Sequence, residues 1–113
     1  MAKKNLLIDA PPYAVERAIK RLGKNLRTAR LRRNMTIEQV AEKIGTGPRA
    51  VMDAEKGKIG TGMVVYTALL WAYDLLRPFQ DLADPQSDIE GLALDQMNSR
   101  ERARTGRGLD NDF

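Results

Sequence analysis

The chain of 113 residues contains no cysteine and no histidine. Without cysteine there can be no disulfide, thiolate metal site or cysteine nucleophile. Without histidine the usual general base at neutral pH is missing, and so is the commonest metal ligand. Carboxylates remain, but no pair of them is organised around a recognisable pocket motif. Neither a small-molecule cofactor nor a metal is expected, and the chain is not expected to be an enzyme. Long apolar runs are also lacking. None approaches the roughly 20 residues of a membrane span. The apolar stretch after Lys3 and Lys4, Leu6-Leu7-Ile8, is too short for a signal peptide. The expectation is therefore a soluble, cytoplasmic protein without a membrane partner.

What is present is charge, unevenly placed. Residues 1–33 carry a net +8, residues 34–76 a net −1 and residues 77–113 a net −3, within a total of +4. A basic N-terminal third suits a polyanion partner, and it equally suits a solvated helix. The length fits one domain.

The local signals are helical throughout. Pro11-Pro12 closes an N-terminal arm of residues 1–12. Ile19, Leu22, Leu26 and Ala29 recur at spacings of three and four, which predicts a helix over about 13–33. Asn34-Met35 breaks it. Thr36 with Gln39 forms a capping box that opens a second helix, with Val40, Ala41 and Ile44 on its buried face. Gly45 ends that helix, and Pro48 suits the first turn of a third. Val51, Ala54 and Met52 are the apolar positions of the third helix, and Gly57 and Gly60 follow it.

A fourth helix, from about Thr61 to Leu76, is apolar on almost every side. Such a helix must be buried all round. In a domain this small a second copy has to cover part of it, so a homodimer is expected. Its interface residues are expected to be Val65, Leu69, Trp71, Leu75 and Leu76. Arg77-Pro78 breaks this helix. Phe79, Leu82 and Ala83 suggest a short fifth, and Ile89, Leu92 and Met97 a weak sixth. From Asn98 the chain is expected to be a flexible tail, with Leu109 and Phe113 as anchors for a partner.

From Thr36 the chain reads T-I-E-Q-V-A-E-K-I-G-T-G-P-R-A-V-M-D-A-E-K-G. With Leu26-Arg27-Thr28-Ala29-Arg30 and Met35 upstream, this resembles the helix-turn-helix of the lambda-repressor/Cro type, the XRE family. The matching positions are Thr36, Ala41, Gly45, Val51, Glu55 and Gly57, and the resemblance spans about residues 22–83. It implies an all-α fold: a compact five-helix helix-turn-helix domain of lambda-repressor type over residues 13–85, with flexible termini and an extension at 86–113. It also implies a structural ion pair between Arg30 and Glu55, joining the first and third helices.

The helix after the turn would lie in the major groove of double-stranded operator DNA. Arg49 can donate two hydrogen bonds to guanine. Asp53 could accept from cytosine, orient Arg49, or be a solvated acid. Met52 could touch a thymine methyl or be partly buried. Lys56 and Lys58 fall where phosphates would pass. Thr36, Ile37, Gly47 and Pro48 complete the expected DNA-binding set. Two of its positions depart from the family pattern: Ile37 stands where a phosphate-holding Gln is usual, and Gly47-Pro48 where polar residues are usual.

Further on, V-Y-T-A-L-L-W-A-Y-D-L-L, L-A-D-P, G-L-A-L and the closing G-R-G-L-D-N-D-F resemble the HipB-like antitoxins. This second resemblance implies an autorepressing dimer in the bacterial cytoplasm that also binds a HipA-type kinase toxin. Two other readings stay open. One is a free-standing, phage-related repressor of the same family without a toxin. The other is a protein-interaction module that uses its basic first helix and no DNA.

Overall fold

The computed structural model describes residues 5–105. Among these there are seven α-helices and no strand. The chain divides into two units, the first ending at Phe79 and the second beginning at Gln80. No helix among the described residues is long and apolar enough to cross a membrane.

The first unit opens with a short helix, α1 (Leu6–Asp9), where an extended arm is expected. The Asn5 side chain accepts from the amides of Leu7 and Ile8, at 3.1 and 3.3 Å, and so starts the turn. Pro12 then precedes α2 (Tyr13–Arg32). Helix α3 (Ile37–Ile44) has the expected reciprocal cap. The Gln39 amide donates to Thr36 Oγ1 at 3.0 Å, and the Thr36 amide donates to Gln39 Oε1 at 2.9 Å. Gly45 closes α3 at φ 83°, a left-handed conformation that glycine adopts without a Cβ penalty. The amides of Gly45 and Thr46 both reach back to the Ala41 carbonyl at 2.9 Å. Helix α4 (Pro48–Glu55) carries Pro48 at its first position, where the missing N–H costs no helical bond.

Helix α5 (Met63–Ala72) is shorter than its apolar run. It stops because Asp74 turns left-handed at φ 61°, and the Leu75 amide returns to the Leu70 carbonyl at 2.8 Å. Leu76 therefore belongs to the next helix, α6 (Leu76–Gln80), which holds Pro78 within its first turn.

Leu26 and Ala29 of α2, Val40 and Ala41 of α3, Val51 and Ala54 of α4, Tyr66 and Leu69 of α5, and Tyr73 make one buried core. Every helix from α2 to α5 contributes, so α3 and α4 are held as a pair by the inward faces of the two longer helices, amphipathic α2 and apolar α5.

The second unit holds a turn of 3-10 helix (Pro85–Ser87) and helix α7 (Ile89–Thr105). Asp84 caps the turn by accepting from the Gln86 amide at 3.0 Å. Asp88 caps α7 by accepting from the Gly91 amide at 2.9 Å. Residues 13–85 hold the five expected α-helices, α2 to α6; the addition is α1, inside the expected arm. The stretch from Asn98 to Thr105 continues α7 instead of forming a tail, because Asp88 supplies the cap and no glycine or proline interrupts the chain from Leu92 to Thr105. The proposed anchors Leu109 and Phe113 lie outside the described residues.

Candidate nucleic-acid interface

The site is built on the α3–turn–α4 pair and on what clamps it to α2. Arg30 and Glu55 are buried, at 7% and 8% exposure. Arg30 Nε donates to Glu55 Oε2 at 2.7 Å, and Arg30 Nη2 donates to Glu55 Oε1 at 3.1 Å. This is the two-pronged guanidinium–carboxylate geometry that gives both strength and direction. A third donor, Arg30 Nη1, holds the Met35 carbonyl at 2.9 Å, on the link between α2 and α3. The hydrogen bond to Glu55 raises the Arg30 pKa further, although burial works against it. One guanidinium thus ties three segments together: the end of α2, the entry to α3 and the end of α4.

Helix α4 is placed by backbone contact as well. Gly23, inside α2, lies against the last turn of α4: a Cβ there would fall 2.5 Å from the Ala54 carbonyl oxygen and 2.7 Å from that of Glu55. Arg33 closes the far side. It donates to the carbonyls of Ala29 at 2.9 Å and Tyr73 at 3.0 Å, and its guanidinium sits 5.5 Å from the Tyr73 ring centre. Neither Gly23, Arg33 nor Tyr73 is singled out for a role by reading the chain. For Gly23 a signal exists: glycine inside a helix costs about 1 kcal/mol relative to alanine, so its presence asks for a packing reason.

With α4 held in this way, its first turn is free. Gly47, Pro48 and Arg49 are exposed, and the Arg49 side chain is 80% exposed. Asp53, one turn on, is half-buried and stands between two cations. Arg49 Nε lies 3.6 Å from Asp53 Oδ1, and Lys58 Nζ lies 3.9 Å from Asp53 Oδ2. Both pairs are long and open to water, so they guide the cations more than they stabilise the fold. Met52 is 37% exposed. Thr36, Lys56 and Lys58 are exposed, and Thr36 is committed to its cap. The structure thus brings Arg49, Asp53 and Lys58 together. It does not bring Ile37 to this surface: Ile37 packs against the core, because an aliphatic side chain after the cap gains more from burial than from water. Among the described residues, no three carboxylates come together as a metal site would need.

The residues expected at a dimer interface differ in exposure. Leu69 is fully buried inside its own domain and so is not available to a second chain as a surface contact, whereas Val65 is half-buried, with one side against the same core. The reason is register: Leu69 shares a helix face with Tyr66 and Tyr73, and that face is the one turned inward. Trp71 at 58% and Leu75 at 41% are exposed, and Leu76 is half-buried. Val64, at 74% exposure, lies two turns before Trp71 on the same face of α5, while Leu75 follows the left-handed turn at Asp74 and is off that helix.

Comparison with protein-family models, with curated proteins and with solved structures gives no match.

Proposed function

We propose that this chain is a sequence-specific DNA-binding transcription regulator that reads the major groove with α4. The observation that carries the reading is the α3–turn–α4 pair. Its second helix is clamped from behind by the Arg30–Glu55 ion pair and presents Arg49 in its first turn, 80% exposed and steered by Asp53. A long cation at that position can reach guanine O6 and N7 with two donors. Lys56 and Lys58, at the other end of the helix, suit the flanking phosphates. The exposed Val64 and Trp71 on one face of α5, with exposed Leu75 just after it, support a homodimer, and a two-fold dimer reads half-sites about 34 Å apart, or a multiple of that.

The test is Arg49→Ala measured on the chain's own promoter DNA and on random duplex. Loss of about 1–3 kcal/mol per half-site on the promoter alone is expected. Lys56→Ala should weaken both equally and flatten the salt dependence. Equal loss on both DNAs from Arg49→Ala defeats base reading by that residue.

The resemblance of segments within residues 65–94 and of residues 106–113 to HipB-like antitoxins takes the proposal one step further, to an autorepressor that also holds a HipA-type kinase toxin. Co-expression with a kinase encoded beside it, followed by purification on a tag on one partner, tests that step: no co-purification leaves a free-standing regulator.

A further inference from the structure

The back of α2 carries a row of cations that the proposed reading of DNA by α4 does not use. We propose that this ridge is a second, sequence-independent binding surface for duplex phosphates, so that one domain can hold two separate duplex segments. Its members are Arg17, Lys20, Arg21, Lys24 and Arg27, all exposed. The face of α2 that meets α3, α4 and α5 is marked by Gly23, Leu26, Ala29 and Arg30, all buried. At 3.6 residues per turn, Arg17 and Lys24 lie about half a turn around the helix from Leu26. Arg17, Arg21 and Lys24 therefore point away from the side of α2 that packs on α4, whereas Lys20, at the margin of the ridge, borders Gly57 just beyond α4.

Three features of the ridge suit phosphate. Only Lys20 has an acid partner among the described residues, Glu16 at 3.3 Å, and that pair is itself exposed. The other four cations have none within salt-bridge distance, so their charge is available. From Arg17 to Arg27 the ridge runs about 15 Å, long enough to meet successive phosphates of one strand. At its start the Arg17 guanidinium stacks over the exposed Tyr13 ring at 5.7 Å, which orders the first cation. Leu22, half-buried beside Arg17 and Arg21, is the large apolar side chain at the edge of the ridge, and no large hydrophobic between Arg17 and Arg27 is exposed. A protein partner needs an apolar centre that is fully desolvated, whereas phosphate contacts need only charge and counterion release. The ridge therefore fits a duplex better than an acidic protein.

Binding of two duplexes rests on α4 binding DNA as proposed above; binding by the ridge does not. The experiment uses the full chain and a random-sequence duplex of about one helical turn, ~10 base pairs. It measures stoichiometry per chain and the slope of log K against log salt. Three proteins are compared: wild type, a ridge variant (Arg17→Gln, Arg21→Gln, Lys24→Gln) and an α4 variant (Arg49→Ala, Lys56→Ala). Wild type should bind two duplexes per chain and each variant one. The ridge variant should lose about 2–3 from the salt slope, since each phosphate contact contributes roughly 0.9. Arg17→Lys with Arg21→Lys should keep the slope, because a point charge suffices for phosphate. Full slope and stoichiometry in the ridge variant, with circular dichroism matching wild type, overturns the ridge and leaves the α4 reading standing. If the ridge variant loses all binding while the α4 variant behaves as wild type, the ridge stands and the α4 reading fails.

Discussion

Gly23 in α2 and Gly57 just beyond α4 meet backbone to backbone: a Cβ on Gly23 would lie 2.8 Å from the Gly57 amide nitrogen, and a Cβ on Gly57 would lie 2.5 Å from the Lys20 Cα. Gly57 is also left-handed, at φ 67°. The two glycines set how closely α4 approaches α2, and therefore how Arg30 reaches Glu55. Gly23→Ala should thus destabilise the domain by about 1–3 kcal/mol, the cost of forcing packed backbones apart. Alanine's better helix propensity, about 1 kcal/mol, acts in the opposite direction. Urea unfolding checks the sign. A more stable Gly23→Ala protein would mean that the crossing relaxes freely.

The Arg30–Glu55 pair makes a prediction of a different shape. Removing one partner leaves a buried charge without its counterion. Arg30→Ala or Glu55→Ala should each cost about 3–5 kcal/mol. Replacing both, as Arg30→Met with Glu55→Leu, should recover much of that loss, because the second charge is no longer stranded. Chemical denaturation of the two single variants and the double variant closes the cycle. Equal, additive losses would show that the pair is not coupled.

The apolar residues of α5 should respond differently according to face. Leu69 has no exposure, whereas Trp71 is 58% exposed. Leu69→Glu should unfold the domain. Trp71→Glu should leave circular dichroism and the unfolding midpoint of the isolated domain nearly unchanged, and should shift sedimentation from dimer to monomer at micromolar concentration. A stable wild-type monomer under those conditions removes the dimer from the proposal.

Tyr73 predicts an alkaline effect. Its ring is buried and its hydroxyl has no hydrogen-bond partner. Burial first, and then the charge of Glu55, push its pKa up to about 12 from 10.0. The folded state therefore holds the phenolic proton more tightly than the unfolded chain does. The stability this gives is fully present below pH about 10, and it is lost as the pH rises from there to about 12. Tyr73→Phe should be neutral or stabilising at pH 7, since it removes an unpaired buried hydroxyl. It should also lose less stability than wild type between those two pH values. Unfolding midpoints of both proteins across that range decide it, and parallel curves would count against the assignment.

Much of this architecture is legible along the chain because its signals are local. Thr36 and Gln39 are three residues apart, and Gly45 and Pro48 act on their own backbone, so the bounds of α3 and α4 follow from nearest neighbours. The start of α2 after Pro12 is of the same kind. The end of α5 is not: nothing in the apolar run to Leu76 announces that Asp74 will turn left-handed. The extent of α7 also escapes composition, because a polar, arginine-bearing stretch is compatible both with a solvated helix and with a tail.

The candidate site divides along the same line. Its residue types and their spacing, Arg49 one turn before Asp53 and a lysine at each of positions 56 and 58, belong to the sequence alone. Which apolar face of α5 turns inward was decided only by tertiary packing, since periodicity there is the same on every side and selects none. The fold also decided that Ile37 joins the core, that Lys58 comes back to Asp53, and that Gly23 is where two backbones meet. Except for the Lys58–Asp53 pair, five residues apart, these contacts depend on atoms distant in the chain, and the energy that chooses between them, burial against solvation, exists only once the helices have packed.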